Sequence, residues 1–237
     1  MIRVDRAELT KNEIIRVAAN RFLNEGYAKT TVASMAKTLN MSTGNMTFHF
    51  PSKDHMLAEL VEMLCKYQWK LMKDELDEGN SSIMAICLEL LTIASACEQD
   101  EVAKDFFISA YQSEMCMNLI RKHDKERAKE VFQEYCPDWT DDYFEEAETL
   151  VSGIEYATLF TTEKSASLEL RVAGAIRTIL SIYNVPKEIP DKKIEKVLSM
   201  NYKKFGLDTL KKFRKYVDQT TEQALLDLMK RKKNNKN

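Results

Sequence analysis

Residues 9–54, LTKNEIIRVAANRFLNEGYAKTTVASMAKTLNMSTGNMTFHFPSKD, decide how this chain is read. Ile14, Ala18 and Phe22 recur at fourfold spacing with Ile15 and Val17 beside them, a pattern that predicts a helix with one apolar stripe facing inward. Gly26 closes that helix, because glycine readily adopts the left-handed conformation past a helix end. Thr30 and Thr31 are candidate N-caps. Val32, Met35, Ala36 and Leu39, at i, i+3, i+4 and i+7, predict a second helix of about two turns. After a turn at Asn40 and Met41, Ser42 caps a third helix over Thr43–His49. Pro51 cannot continue it, since proline lacks an amide hydrogen and restricts Phe50 before it. So short a helix is unstable alone, and Met46 and Phe50 are expected to hold it against the first two.

Two short helices joined by a three- or four-residue turn make a helix-turn-helix, whose second helix enters the DNA major groove while the first crosses the backbone. From Ile14 to Leu57 the residues resemble the amino-terminal domain of the tetracycline-repressor (TetR, AcrR-like) family. The likeness rests on the alanine-rich first helix, the corner from Phe22 to Gly26-Tyr27, Thr30-Thr31-Val32, Met35-Ala36, Met41-Ser42, Gly44, His49-Phe50 and Ser52-Lys53. One position departs. Thr47 stands where the family usually carries an aromatic residue that braces and touches the DNA backbone, and Phe48 puts aromatic bulk one place later.

The third helix supplies the candidate base readers Thr43, Asn45, Met46, Phe48 and His49. Asn45 can pair with adenine N6 and N7, and threonine methyl or apolar groups can pack on a thymine methyl. No arginine or lysine lies within Ser42 to Phe50, so bidentate guanine readout is not offered there; preference would lean on Lys29, Lys37 or DNA shape. Thr31 and Ser42 open helices, where free amides and the dipole favour an anion, and Lys53 opens a fourth with Ser52 as its cap. Expected phosphate contacts are therefore Thr31, Lys37, Ser42, Thr47, His49 and Lys53, of which Thr31, His49 and Lys53 are also what the resemblance implies. The competing reading makes this helix a packing element, with Thr31 and Ser42 as ordinary caps.

A net charge of −2 over 237 residues conceals segregation. Residues 1–53 hold eight basic and four acidic residues, a net +4, where DNA would lie, whereas 130–163 contain ten acids and no lysine or arginine. Lys192, Lys193, Lys196, Lys203, Lys204, Lys211, Lys212, Arg214 and Lys215 return the balance, as a solvated helix face or a second nucleic-acid surface. Six glycines, four prolines and no alternating apolar runs argue for an all-α chain. The expected organisation is a helix-turn-helix DNA-binding domain at 1–53 and a larger helical-bundle domain for ligand binding and dimerisation at 54–237. The start lacks the apolar core of a signal peptide and no run suits a membrane span, so a cytoplasmic location without membrane attachment is expected.

Beyond residue 53 amphipathic helices are expected over 53–77, from Ser81 or Ser82 through Ala96 after a break at Gly79-Asn80, over 102–119, near 125–135, near 141–161 and near 168–184. The second is apolar nearly all round and hence central. By resemblance, the bundle encloses a small-molecule pocket, and Trp69, Tyr111, Met115, Cys116, Met117 and Tyr156 would suit an apolar or aromatic ligand, although core filling is the commoner use of each. The same resemblance makes the last two main helices a homodimer interface, with Leu150, Ile154, Ala157, Ala175, Ile176 and Ile179 as inward or interface candidates, core packing within one chain being the competing reading for each, and with Gly153, Ala173 and Gly174 permitting close approach. A two-fold protein would match two DNA half-sites. Residues 186–237 exceed the family pattern and read as one more long helix through Leu210, Phe213, Val217, Ala224, Leu225 and Leu228, with a basic tail from Lys230. That extension could cover the bundle, swap between subunits or meet a partner.

Cys65, Cys87, Cys97, Cys116 and Cys136 are scattered and odd in number, which suits reduced core thiols, or a redox or metal sensor built chiefly on Cys87, Cys97 and Cys116. No catalytic set, glycine-rich phosphate loop or cofactor motif is evident, so an enzyme is not expected. A homodimeric repressor released from a double-stranded DNA operator by a small molecule is the function implied. The alternative is a DNA-binding regulator acting constitutively or under a protein partner.

Overall fold

The first helix, α1 (Arg6–Asn24), buries Ile14, Ile15, Ala18, Ala19 and Phe22, the stripe its periodicity predicts. Gly26 follows at φ 99° and turns the chain, and Asn40 at φ 51° makes the second turn. Between them lies α2 (Val32–Thr38), capped by Thr31 in a reciprocal arrangement: the Thr31 hydroxyl accepts from the Ser34 amide at 3.1 Å. The third helix, α3 (Thr43–His49), is capped by Ser42, which accepts from the Asn45 amide at 3.1 Å, and stops at Phe50 in extended conformation before Pro51. Met46 is fully buried and Phe50 nearly so. Arg21 fastens α1 to α2, donating to Thr38 Oγ1 at 2.9 Å while pairing with Glu25.

The computed structural model describes residues 6–75 and 83–234, except the side chains of 71–75, 225 and 227–234. The expected break at Gly79-Asn80 and the Ser81 or Ser82 cap lie outside the described residues. Helix α4 (Lys53–Glu75) leads from the small three-helix unit into the bundle formed by α5 (Ile83–Gln99), α6 (Glu101–Gln112), α7 (Glu114–Phe132), α8 (Asp141–Leu159) and α9 (Leu168–Ile182). Helix α5 buries residues on every side, from Ile83 and Met84 through Leu91 to Cys97, and is the central rod. The described residues contain only helices as regular structure, and no helix among them is long and apolar enough to cross a membrane.

Three boundaries differ from the sequence expectation. The helix expected over 102–119 is interrupted at Ser113, which is extended (φ −86°, ψ 121°). Its amide donates to Ser109 O at 3.1 Å, closing α6, and its carbonyl accepts from Met117, opening α7. Tyr111, Met115 and Met117 carry the apolar pattern across this break and hide it. The separate helix expected near 125–135 is the continuation of α7, on which Ile120, Ala128 and Phe132 extend one buried face.

The carboxy-terminal segment is two helices, α10 (Glu188–Ser199) and α11 (Tyr202–Asn234), the latter running past Lys230. It covers the bundle rather than leaving it. Helix α11 crosses α5 so closely that a Cβ on Gly206 would lie 2.8 Å from Thr92 O, so only glycine fits there. Phe213 and Val217 are fully buried, Phe213 and Tyr216 stack near Tyr67 of α4, and Arg214 hydrogen-bonds Asn24 at the end of α1. One helix thereby touches the bundle, α4 and the amino-terminal unit. The exposed lysines Lys203, Lys204, Lys211 and Lys215 lie along it as a solvated face.

Candidate nucleic-acid interface and internal cavity

On α3, Thr43, Gly44, Asn45, Thr47 and Phe48 are exposed, His49 is half-buried and Met46 points into the core. A seven-residue helix held by a single buried methionine and its flanking Phe50 presents nearly its whole outer face. Phe48 is 80% exposed, a large apolar ring with only the His49 ring against its edge, at 5.3 Å between centroids. Met46 is corrected as a base reader: at 0% exposure its side chain is core and cannot reach a groove. Thr47 bends back, donating to Gly44 O at 3.2 Å.

Exposed Thr31 and Ser42 stand at the openings of α2 and α3, and exposed Lys37 lies in the last turn of α2. Lys53 does not face outward as expected. Its ammonium is part-buried, donates to Tyr27 O at 2.8 Å and Thr30 O at 3.0 Å, and sits 3.9 Å from the Tyr27 ring centre. Burial lowers its pKa. Two of three donors go to backbone carbonyls, so Lys53 braces the 26–30 turn and is at most a secondary phosphate ligand.

That turn is gripped from the bundle as well. The Tyr27 hydroxyl donates to Asp54 Oδ1 at 2.5 Å, and the Ala28 amide donates to Asp105 Oδ2 on α6 at 2.9 Å. A Cβ on Gly26 would approach Asp105 to 2.9 Å, so the glycine permits this close seating as well as its positive φ. Asp54 and Asp105 are not singled out by the sequence, where nothing distinguishes them from surface polar groups, and Tyr27 stands out there only for its corner with Gly26.

The bundle contains a small cavity of about 50 Å³, opening to solvent, between α5, α7, α8 and α9. Its apolar walls are Ile86, Leu90, Ile93, Val151, Leu159 and Ile179, and its polar groups are Glu89, Asp124, Arg127, Glu148, Glu155 and Tyr183. The six residues expected around a pocket do not line it. Trp69 lies behind the wall, its ring 4.3 Å from the Arg127 guanidinium carbon, and Tyr111 donates to Glu155 at 2.9 Å from outside. Tyr156 packs with Tyr111 and Phe160 and accepts from Gln112 at 3.0 Å. Met115 borders a different, open groove with Tyr27, Ser52 and Asp54, whereas Cys116 is core and Met117 is absent from the cavity wall. The cavity is thus lined by other residues than those expected, apolar side chains with a group of acids and one arginine among them.

The exposed face of α8 carries Tyr143, Leu150, Gly153, Ala157 and Phe160, and that of α9 carries Leu170, Gly174 and Thr178. Leu150 and Ala157 are exposed, and Ile154 is half-buried. Ala175, Ile176 and Ile179 are corrected: at 6%, 2% and 3% exposure they pack within the protomer, as does Ala173 at 7%. The sequence does not separate the two faces of α9, because its buried and exposed faces both hold small or aliphatic residues.

All five cysteines are free thiols, four of them buried. Burial pushes Cys87 and Cys97 up to about 12, which disfavours the reactive thiolate. Cys87 and Cys97 share α5 rather than neighbouring helices, and among the described residues no three His, Cys, Asp or Glu side chains converge to hold a metal ion.

Residues 14–60 match the family profile described as bacterial regulatory proteins, tetR family. The HTH-type transcriptional regulator QacR of Staphylococcus aureus is 33% identical over 63 residues, 25% of this chain and 34% of QacR. The chain therefore spans about a third of the length of the curated relative it matches. Among solved structures, AmtR of Mycobacterium smegmatis superposes with a TM-score of 0.37 at 14% identity, over 79% of this chain and 93% of AmtR. TylP, a tetR regulator from Streptomyces fradiae, gives 0.47 at 16% identity, over 88% and 99%.

Proposed function

Because this chain belongs, through residues 14–60, to the tetR family of bacterial regulatory proteins, we propose that it is a homodimeric transcriptional repressor whose hold on double-stranded DNA is released by a small molecule in the bundle. The observation that carries the DNA-binding part is the outward face of α3. Thr43, Asn45 and Phe48 stand exposed on a helix short enough to enter a major groove, beside the Thr31 and Ser42 helix openings and Lys37. Asn45 reads adenine, Thr43 and Phe48 contact thymine methyls, and the helix openings with Lys37 hold phosphates.

Dimerisation proceeds through the exposed stripes of α8 and α9. Leu150 at 51%, Phe160 at 50% and Leu170 at 64% exposure are apolar groups that a second copy would bury, and Gly153 and Gly174, with open space beyond them, let helices of two protomers approach.

Ligand response runs along α6. Tyr111 near its end binds the cavity carboxylate Glu155, and Asp105, six residues earlier, binds the Ala28 amide. Six residues of helix span about 9 Å, so a displacement at Glu155 reaches the 26–30 turn through one rigid rod. That turn sets the tilt of α2 and α3 against α4, and two recognition helices whose separation changes no longer match both half-sites. Gel-shift titration of a selected DNA fragment, with the wild type and with Asn45→Ala, tests the reading: the wild type binds one sequence tightly and the variant loses discrimination.

A further inference from the structure

We propose that α11 is a positioning element for DNA binding: a strut that fixes the tilt of α1–α3 against the bundle, and with it the half-site spacing that two copies can read. This rests on the chain being a dimeric DNA-binding regulator. Helix α4 joins the amino-terminal unit covalently, after Pro51 and Ser52, and α6 holds the 26–30 turn through Asp105. A body held at two places still turns about the line that joins them. A third attachment stops that turning, and α11 supplies it. Helix α1 packs more extensively on α11 than on α2, α3, α4 or α6. The helix that does this lies far outside residues 14–60, which the family profile covers.

The strut is anchored in the bundle first. Gly206 brings the backbone of α11 against that of α5, where a Cβ would lie 2.8 Å from Thr92 O and 3.2 Å from Ala96 N. The Gln99 side-chain amide donates to Lys203 O at 3.1 Å, and the Tyr202 hydroxyl donates to Glu169 on α9 at 2.8 Å. Further along, the Tyr67 ring of α4 lies 5.6 Å from Phe213 and 5.0 Å from Tyr216. The Arg214 guanidinium then donates to Asn24, the last residue of α1, and Val217 and Thr221 follow as buried positions. The Thr221 hydroxyl donates within its own helix, to Val217 O at 2.8 Å and Asp218 O at 3.0 Å, so its methyl is what it offers a neighbour. From Gly206 to Thr221 the helix is unbroken over about 22 Å, a rod without an internal hinge between α5 and α1. The consequence is geometric. Adding one base pair between half-sites moves one of them about 3.4 Å and turns it about 35° round the duplex, which two rigidly held recognition helices cannot follow. A loosened strut would trade peak affinity for tolerance of spacing, because the tilt must then be ordered on binding.

The test uses the full-length protein in four forms: the wild type, the double variant Arg214→Ala with Val217→Ala, Arg214→Lys, which keeps a donor for Asn24, and Val131→Ala, the same truncation of a buried valine on α7. Anisotropy measures binding to a selected palindrome and to versions with one base pair added or removed between its half-sites. Hydrogen exchange read by mass spectrometry follows α1–α3 and α5 separately. The wild type, Arg214→Lys and Val131→Ala should lose at least about tenfold in affinity on either change of spacing, whereas the double variant should bind all three duplexes within about threefold of one another, its base preference intact. Exchange in the double variant should rise in α1–α3 and not in α5. If that variant does not fold, Arg214→Ala alone takes its place, with a profile between the two. A steep profile kept by the loosened variant, or a broad one shared by Val131→Ala, overturns the proposal, as does a wild-type dimer that binds every spacing alike. A wild type that binds no duplex, or binds only as a single protomer, overturns the regulator reading instead. Exchange then decides the strut by itself: a rise confined to α1–α3 supports it, and an equal rise in α5, or none, overturns it.

Discussion

The Asp105 carboxylate on α6 accepts the backbone amide of Ala28 at 2.9 Å, across 77 positions of sequence. This bond joins the bundle to the turn that positions α2 and α3, in a place where Gly26 leaves no Cβ in the way. Through the Tyr111–Glu155 hydrogen bond near its other end, α6 links the cavity wall to the turn beside the candidate DNA-reading face.

Asp105→Ala removes that acceptor. The expected cost is about 1 kcal/mol, or a fall of some 2–4 °C in melting temperature, with amide exchange rising specifically at Ala28. Ligand and DNA binding should then become uncoupled, each affinity measured by anisotropy being insensitive to the other partner. Undiminished coupling would remove α6 from the mechanism.

Lys37→Ala and Lys53→Met should part company. Lys37 is exposed, and its loss should lower the slope of log affinity against log salt by about one. Lys53 is occupied by Tyr27 O and Thr30 O, so Lys53→Met should lower stability and affinity while leaving the slope nearly as it was. Salt titrations of both variants decide this.

Much of this was legible in the sequence, and the reasons differ by residue. Ile14, Ala18, Phe22, Met35 and Ala36 declared the first two helices because a helix must bury one face, and Ser42 and Pro51 bounded α3 by capping and by proline's missing donor. Met46 shows the limit. Over seven residues periodicity does not choose between the two uses the sequence offers Met46, packing and base reading, and only its complete burial beside an exposed Phe48 selects packing. The cavity was hidden for another reason: Glu89, Asp124, Arg127, Glu148 and Glu155 come from three helices, and as sequence they resemble solvated charges. Ser113 broke a helix without glycine or proline to announce it.

Glu148 gives stability a pH dependence with a definite sign. Its carboxyl is raised from 4.5 to about 8 by burial, so the folded protein binds a proton that the unfolded chain has released between those values. Stability from this group is complete below about 4.5 and is lost as pH rises towards 8. Glu148→Gln mimics the protonated acid, retains an acceptor for Tyr183, and should flatten the dependence; chemical denaturation at pH 5, 6.5 and 8 measures it.

Gly153→Arg tests the dimer without touching the protomer core. A Cβ there meets nothing within 4 Å, and an arginine is a better helix former than glycine, so the protomer should be as stable or more so. Buried at a two-fold contact, the unpaired charge should cost about 3 kcal/mol, weakening self-association roughly a hundredfold in sedimentation equilibrium. Unaltered association would place the interface elsewhere.

The central claim, that the exposed face of α3 reads DNA, is tested most directly by selecting bound duplexes from a random pool with the wild type and with a Thr43→Ala, Asn45→Ala, Phe48→Ala triple variant. The wild type should enrich a palindrome whose half-sites lie about one helical turn, or a multiple of it, apart, while the variant keeps its fold and enriches nothing. No enrichment by the wild type, or the same palindrome recovered by the variant, would contradict it.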